Sequence, residues 1–184
     1  MEQALVFISI VLGVAVAFEL ENLNRLIRSK QVKWHWAQPL FALFVLMTIT
    51  SFWWMVADRT DEEPISLAAF MPLMWILVIL NLLAAAALPD KIGEDGVDLA
   101  AYYQDNRRYL WGLYLLVFLP LAANWIAVSA ARTSSFGEFW GMASGEFIPL
   151  IFIILLFFAK RWWLVGVGFA GLSTTLLTWM TRTL

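Results

Sequence analysis

Six apolar stretches, each close to the length that crosses a lipid bilayer, take up most of the 184 residues of this chain. A membrane-spanning helix needs about 20 mainly apolar residues, because the hydrocarbon core is about 30 Å thick and a helix rises about 1.5 Å per residue. The stretches run over residues 4–18, 37–57, 65–88, 109–130, 139–159 and 162–179. Charged residues make up 14% of the chain, against about 25% in soluble domains. The sequence therefore predicts an all-α, polytopic membrane protein with six transmembrane helices.

Little of the chain is left outside these stretches. The longest polar connection, residues 89–108, is too short for a soluble catalytic domain, which needs about 50 residues, so we expect a single six-helix transmembrane domain over residues 1–184. The net charge of −2 gives no reason to expect nucleic-acid binding. The absence of cysteine excludes disulfides and thiolate metal sites, and we expect no cofactor and no metal site. The N-terminus lacks the basic region of a secretory signal, so the first stretch should be retained.

The basic residues predict the orientation of the helices, because Lys and Arg hold a loop on the cytoplasmic side. Three alternate connections carry nine of them: Arg25, Arg28, Lys30, Lys33, Lys91, Arg107, Arg108, Lys160 and Arg161. The opposite side carries three: Arg59, Arg132 and Arg182. We therefore expect both termini in the periplasm of a bacterium, with the chain in its inner membrane.

The predicted cytoplasmic face offers two further features. His35 is the one histidine of the sequence, and a single imidazole without converging carboxylates does not make a metal site, so we interpret it as an interfacial residue. The connection 89–108 changes from acidic to basic and is the candidate surface for a soluble partner; the alternative is a simple solvated connection. Within it, Asp98 is placed to cap a short helix over 99–106 that leads into Arg107 and Arg108.

Four polar residues lie in or near the apolar stretches: Glu146, Asn81, Asn124 and, nearer the inner edge, Glu19. Such residues are costly in a membrane, usually face the interior of a helix bundle, and are functional candidates by default. Interhelical contacts within the fold would explain them equally well.

Glu19 lies where the first apolar stretch becomes amphipathic. Leu20, Leu23 and Ile27 share one helix face there, and Glu21 precedes Arg25 by the four residues of a helical ion pair. Glu19 itself needs a partner, for which the sequence offers three candidates: Arg25, Arg107 and Arg108.

The fifth stretch carries a helix start and a row of glycines. Ser135 and Glu138 have the spacing of a capping box, which predicts a helix beginning there. Glycines then recur at intervals of four along one face, at Gly137, Gly141 and Gly145. Small residues at this spacing let another backbone approach closely. The sixth stretch repeats the spacing with Gly166 and Ala170, so we expect these two faces to pack, within one chain or across a dimer.

Two groups of segments resemble a known family. They read ISIVLG at 8–13, VKWHW at 32–36 and FWW at 52–54, then LPD at 88–90, VDL at 97–99 and RRY at 107–109. Over about residues 1–115 the chain resembles an uncharacterised family of small six-helix bacterial inner-membrane proteins. The resemblance implies a bacterial origin and six helices, and it carries no chemistry to this chain.

Two functional hypotheses follow. The polar residues favour a small homo-oligomeric channel or transporter for an ion or small solute. The small-residue faces favour the alternative, a non-catalytic membrane scaffold or accessory subunit that binds lipid or a partner protein. An enzyme is disfavoured, because no Walker, G-x-S-x-G, H-E-x-x-H or dinucleotide motif is present and no acid, base and nucleophile set is recognisable.

Overall fold

A computed structural model describes residues 2–57 and 66–180, with the side chains of 3–57, 66–68 and 70–174. This part of the chain forms six α-helices and two short strands. Their bounds are α1 Glu2–Arg28, β1 Val32–Lys33, α2 Ala37–Ala57, α3 Leu67–Ala87, β2 Val97–Asp98, α4 Leu99–Arg132, α5 Phe136–Phe158 and α6 Trp162–Met180. The predicted all-α class is therefore confirmed.

The helices α1 to α5 are each long and apolar enough to cross a membrane. In α6 the apolar stretch with described side chains, Trp162–Thr174, is shorter than a span. Outward-facing side chains are also apolar, such as Ile10 at 63% and Ile151 at 64% exposure. Lipid tails solvate such surfaces without penalty, so the described surface suits a membrane-embedded protein. The sixth crossing stays a prediction.

The chain divides into two compact units, residues 1–106 and 107–183. In the first unit, α1 packs against α2 and α3, and α2 packs against α3. Its core is aliphatic and aromatic: Ile8, Phe41, Val45, Leu77, Leu80 and Leu83 are fully buried. The sequence predicts a single domain. Because a single domain depends on how the two units assemble, it stays a prediction.

A small parallel sheet closes one end of the first unit. Val32 pairs with Val97 and Lys33 with Asp98, so the α1–α2 connection is joined to the α3–α4 connection. Gly96 precedes the pair with a φ of +82°, in the left-handed region that glycine adopts without strain. The sequence did not predict these two-residue strands.

Helix α4 begins in the first unit and continues through residue 132 in the second. Asp98 caps it as predicted, since its Oδ1 accepts hydrogen bonds from the backbone N–H groups of Ala100 at 2.9 Å and Ala101 at 3.2 Å. The predicted short helix 99–106 is therefore the first two turns of one 34-residue helix.

In the second unit, α4 runs antiparallel to α5. Arg107 Nε donates to the carbonyl of Phe157 at 3.2 Å, and Trp125 Nε1 donates to that of Met142 at 3.2 Å. Helix α6 packs against α5 and also meets α4, where the rings of Trp111 and Phe169 lie 5.6 Å apart.

The predicted capping box at the start of α5 is confirmed. Ser135 is the N-cap, and its Oγ accepts from the Glu138 N–H at 3.3 Å. The Glu138 carboxylate reaches back to the N–H of Ser134 at 3.1 Å. The N–H group of Glu138, which the helix itself leaves unpaired, and that of the residue before the N-cap are thereby satisfied.

Candidate functional site

The buried side of α1 is a single seam with heptad spacing. Its residues follow at alternating steps of four and three, each at most 8% exposed: Ile8, Leu12, Ala15, Glu19, Asn22 and Leu26. This spacing keeps one stripe of a helix against its neighbours. Four positions are apolar, whereas Glu19 and Asn22 bring a carboxyl and an amide into the packed interior of the first unit.

The seam differs from the face that the sequence suggested for this end of the helix. Leu20 and Ile27, which the sequence grouped with Leu23, are 49% and 63% exposed. An apolar face can point outward in a membrane protein because lipid solvates it. The packed side of the α1 end therefore carries Glu19 and Asn22 together with Leu26, and the exposed side mixes apolar and charged residues.

Glu19 is 1% exposed, and neither carboxylate oxygen has a hydrogen-bond donor among the described residues. The expected pairing with Arg25 is wrong: Arg25 pairs with Glu21 at 2.9 Å and donates to the carbonyl of Asp90. Arg25 follows Glu19 by six residues, about 120° away around the helix, so it leaves the seam. Arg107 and Arg108 belong to the second unit, so the expected pairings of Glu19 with them stay predictions.

Asn22, one turn after Glu19 on the seam, and Gln38 both bond to the end of α3. The Asn22 Nδ2 donates to the Leu88 carbonyl at 3.5 Å, and the Gln38 Nε2 donates to the carbonyl of Ala87. Tyr102 Oη donates at 3.0 Å to the carbonyl of the preceding residue, Ala86. Side chains from α1, α2 and α4 thus cap successive carbonyls that a helix end leaves without partners.

Gln38 is fully buried, and its Oε1 has no hydrogen-bond donor in the described part of the chain. Together with the Glu19 carboxylate, three acceptor oxygens at this end of the unit lack donors. We call the side chains of Glu19, Asn22 and Gln38 the polar cluster. The sequence analysis missed Gln38, although a glutamine directly before Pro39 at the start of an apolar stretch was visible in the sequence.

Asn81 lies deeper in the interface between α1 and α3. Its Nδ2 donates to the carbonyl of Leu77 at 2.9 Å and to that of Val11 at 3.4 Å. This amide is therefore hydrogen-bonded within the first unit. Of the four predicted polar residues, Asn81 and Glu19 belong to this unit.

The other two predicted polar residues belong to the second unit. Glu146 on α5 is half-buried and has an interaction partner, and Asn124 on α4 is exposed. Whether Glu146 is the functional carboxyl stays a prediction. The unpartnered state of Glu19 makes that residue the stronger candidate.

The predicted packing of the glycine faces of α5 and α6 stays a prediction. Among the described atoms, none lies within 4 Å of a Cβ built at Gly137, Gly141 or Gly145. Helix α6 approaches α5 instead through two other glycines: a Cβ at Gly168 would lie 2.5 Å from Leu156 Cγ, and one at Gly171 would overlap the Phe152 ring.

Helix register explains this outcome. Gly168 opposes Leu156 and Gly171 opposes Phe152. Residues farther before the connection in α5 therefore face residues farther after it in α6. Positions near Gly145 and earlier in α5 would oppose residues after Thr174, the last with a described side chain. Ala170, expected at the contact with its neighbour Gly166, is exposed.

The predicted cytoplasmic residues divide into two groups. Arg28 and Arg108 are exposed, as is Arg25, whereas His35 is half-buried and its Nδ1 accepts from the Ala37 N–H at 3.4 Å. Arg107 differs, because it is 6% exposed and donates to the Phe157 carbonyl. Arg107 therefore packs within the second unit, and its predicted place at the cytoplasmic interface stays a prediction.

Among the described residues, no group of three His, Cys, Asp or Glu side chains could hold a metal ion. No protein-family model, curated protein or solved structure matches this chain.

Proposed function

We propose that this protein is a small homo-oligomeric channel or transporter for an ion or small solute in a bacterial inner membrane. One observation carries the proposal: the carboxyl of Glu19 is buried at 1% exposure without a hydrogen-bond donor among the described residues.

The physical argument concerns stability. Burying a carboxylate without a compensating donor is strongly unfavourable, so Glu19 is expected to oppose folding rather than to support it. A residue that opposes folding is expected to serve an activity, and ionisable groups in membrane interiors commonly line ion or substrate pathways.

The proposed orientation gives this site a location. With six crossings and both termini periplasmic, α1 enters the membrane at its N-terminal end and spans about 40 Å over its 27 residues. Glu19 would lie about 26 Å from the start of the helix, near the cytoplasmic edge of a hydrocarbon core of about 30 Å. The polar cluster would then form the inner mouth of a pathway.

Flux through reconstituted vesicles tests the proposal. We expect wild-type protein to conduct at least one small ion above the rate of empty vesicles, and Glu19→Gln to reduce that flux to the empty-vesicle rate while the protein still folds. Glu21→Gln is the matched control, because Glu21 lies two residues away on the same helix with a side chain that is 65% exposed. Wild-type protein without flux across a range of cations, anions and pH gradients would contradict transport.

The same assay decides between the two carboxyls. Glu146→Gln changes the flux if the second unit contributes to the pathway, as the sequence predicted. Unchanged flux in Glu146→Gln with lost flux in Glu19→Gln would assign the activity to the first unit.

The alternative function, a non-catalytic scaffold or accessory subunit, is favoured by the open glycine face of α5. Gly137, Gly141 and Gly145 leave a flat helix surface, next to the exposed side chains of Phe136 (78%) and Trp140 (53%). Such a surface suits a helix of a second copy, a partner protein or lipid. The connection 89–108 would offer a soluble partner a second surface.

Gly141→Leu tests whether copies of this chain associate through that face. We expect the variant to keep the fold, because no described atom of the second unit lies within 4 Å of the site, and to lose the oligomer in detergent. Light scattering measures the mass, and Gly13→Leu on α1, also beside open space, is the control. A wild-type oligomer that survives Gly141→Leu would contradict an interface at this face.

A further inference from the structure

The polar cluster contains more hydrogen-bond acceptors than donors. Both oxygens of Glu19 and the Oε1 of Gln38 are buried without a donor among the described residues, while the amide groups of Asn22 and Gln38 donate to backbone carbonyls. A species that satisfies this set must therefore bring positive charge or donors of its own.

The backbone places these acceptors at one end of the first unit. Gln38 and Asn22 bond to consecutive carbonyls, those of Ala87 and Leu88. Glu19 precedes Asn22 by three residues on the same seam, and side chains at this spacing lie about 5–6 Å apart at Cβ. We therefore infer that the carboxyl of Glu19 on α1 and the free amide oxygen of Gln38 on α2 lie at the same end of the first unit.

The nearest basic side chain on α1 is already engaged elsewhere. Arg25 pairs with Glu21 at 2.9 Å and donates to the carbonyl of Asp90 on the exposed side of the helix. The charge that compensates Glu19 is therefore expected to come from outside the described chain.

We propose that the polar cluster binds one monovalent metal cation, with the Glu19 carboxylate as its charged ligand and Gln38 Oε1 as a neutral oxygen ligand. The proposal rests on the proposed function and names the ion of the same site. A single positive charge neutralises the single carboxylate, whereas a divalent ion would leave a net charge in a buried position. Calcium sites also use six to eight oxygens, commonly from several carboxylates. The carbonyls of Ala87 and Leu88 each keep a second lone pair that could complete the coordination.

Thermal unfolding of the full-length protein in detergent tests this binding without requiring transport. A ligand that binds only the folded state raises the melting temperature with its concentration. We expect the melting temperature to rise in sodium chloride or potassium chloride relative to N-methylglucamine chloride at equal ionic strength. Glu19→Gln should abolish that cation-specific rise, and Gln38→Met should require a higher salt concentration for the same rise.

Glu21→Gln is the control and should keep the wild-type response, since its carboxylate is on the exposed side of α1. If Glu19→Gln does not fold, retention of radioactive sodium or rubidium by wild-type protein replaces it, with unlabelled salt displacing the label and N-methylglucamine failing to do so.

Equal melting temperatures of wild-type protein in the three salts would overturn the proposal, as would a response kept by Glu19→Gln. A wild-type melting temperature that follows pH alone would also overturn it, because a proton would then occupy the carboxyl. Cation-specific stabilisation without vesicle flux would support this site and contradict only the transport function. Flux without such stabilisation would support transport and contradict only the cation site.

Discussion

At the scale of single residues, Gly96 is a position where the backbone conformation and the nearby atoms leave no room for a side chain. Its φ is +82°, and a Cβ there would overlap the carbonyl oxygen of Gln31. The N–H of the next residue, Val97, donates to that same carbonyl at 2.9 Å. The pairing of the α1–α2 connection with the α3–α4 connection therefore requires glycine at position 96.

We expect Gly96→Ala to destabilise the protein by at least about 1–2 kcal/mol, because the left-handed conformation alone has that cost for residues with a Cβ. Thermal unfolding in detergent measures the loss. Gly93→Ala is the matched control, since a Cβ at Gly93 meets only the Gly96 carbonyl at 3.8 Å. Equal melting temperatures for the two variants would contradict the assigned role of Gly96.

Some residue-scale features were predictable and others were not. Glu19 was recognisable from the sequence as a polar residue near the membrane that needs compensation. The absence of a described hydrogen-bond donor to Glu19 was not predictable, because that absence depends on where Arg25 points and on which carbonyls Gln38 and Asn22 reach. These are properties of the packed helices rather than of sequence spacing.

At the scale of elements, α1 shows why apolar periodicity identifies helices in a membrane protein better than it identifies their buried faces. In water, Leu20 and Ile27 would mark the packed side. In lipid both sides can be apolar, so polarity no longer separates inside from outside. The seam from Ile8 to Leu26 is visible only in the packed helices, because two of its six positions, Glu19 and Asn22, are polar.

Glycines in the last two helices provide an element-scale test. We expect Gly168→Ala to destabilise the α5–α6 pair by about 1–3 kcal/mol, the range for forcing an added group into a packed interface. The added Cβ would lie 2.5 Å from Leu156 Cγ. Unfolding by a denaturing detergent, followed by tryptophan fluorescence, measures the change.

The same substitution at Gly141 should have the opposite sign. A Cβ there meets open space, and alanine in a helix interior is more favourable than glycine by about 0.5–1 kcal/mol. If Gly168→Ala were as stable as Gly141→Ala, the assigned contact of α6 with Leu156 would be incorrect.

At the scale of the whole molecule, composition and run length were enough to predict the class. The bounds of α2 agree with the predicted stretch, 37–57, and the Ser135 cap fixed the start of α5. The parallel sheet could not be predicted, because two strands of two residues have no periodicity. The pairing of α5 with α6 was predictable from their short connection. Which glycines lie at their contact depends on how the two helices are aligned along each other.

The proposed orientation is a whole-molecule prediction. Nine of twelve basic residues lie on one side of the predicted crossings, and such a bias holds those connections in the cytoplasm. A C-terminal fusion to alkaline phosphatase, which is active in the periplasm, should therefore be active. A fusion to a fluorescent protein that folds only in the cytoplasm should stay dark.

A fusion of the same reporters after residue 95, within the connection between α3 and α4, is the control with the reverse expectation. Fluorescence from the C-terminal fusion together with phosphatase activity from the internal one would contradict the orientation.

Glu19 is proposed to serve the activity of the protein rather than the stability of its fold. The most direct test is the melting temperature of Glu19→Gln against wild type in N-methylglucamine chloride, where the proposed metal cation is absent. We expect the variant to melt no lower than wild type although it has lost flux, because no described donor depends on the carboxylate. A destabilisation of about 3–5 kcal/mol, the usual effect of breaking a buried charge pair, would show that Glu19 has a structural partner and would contradict the account.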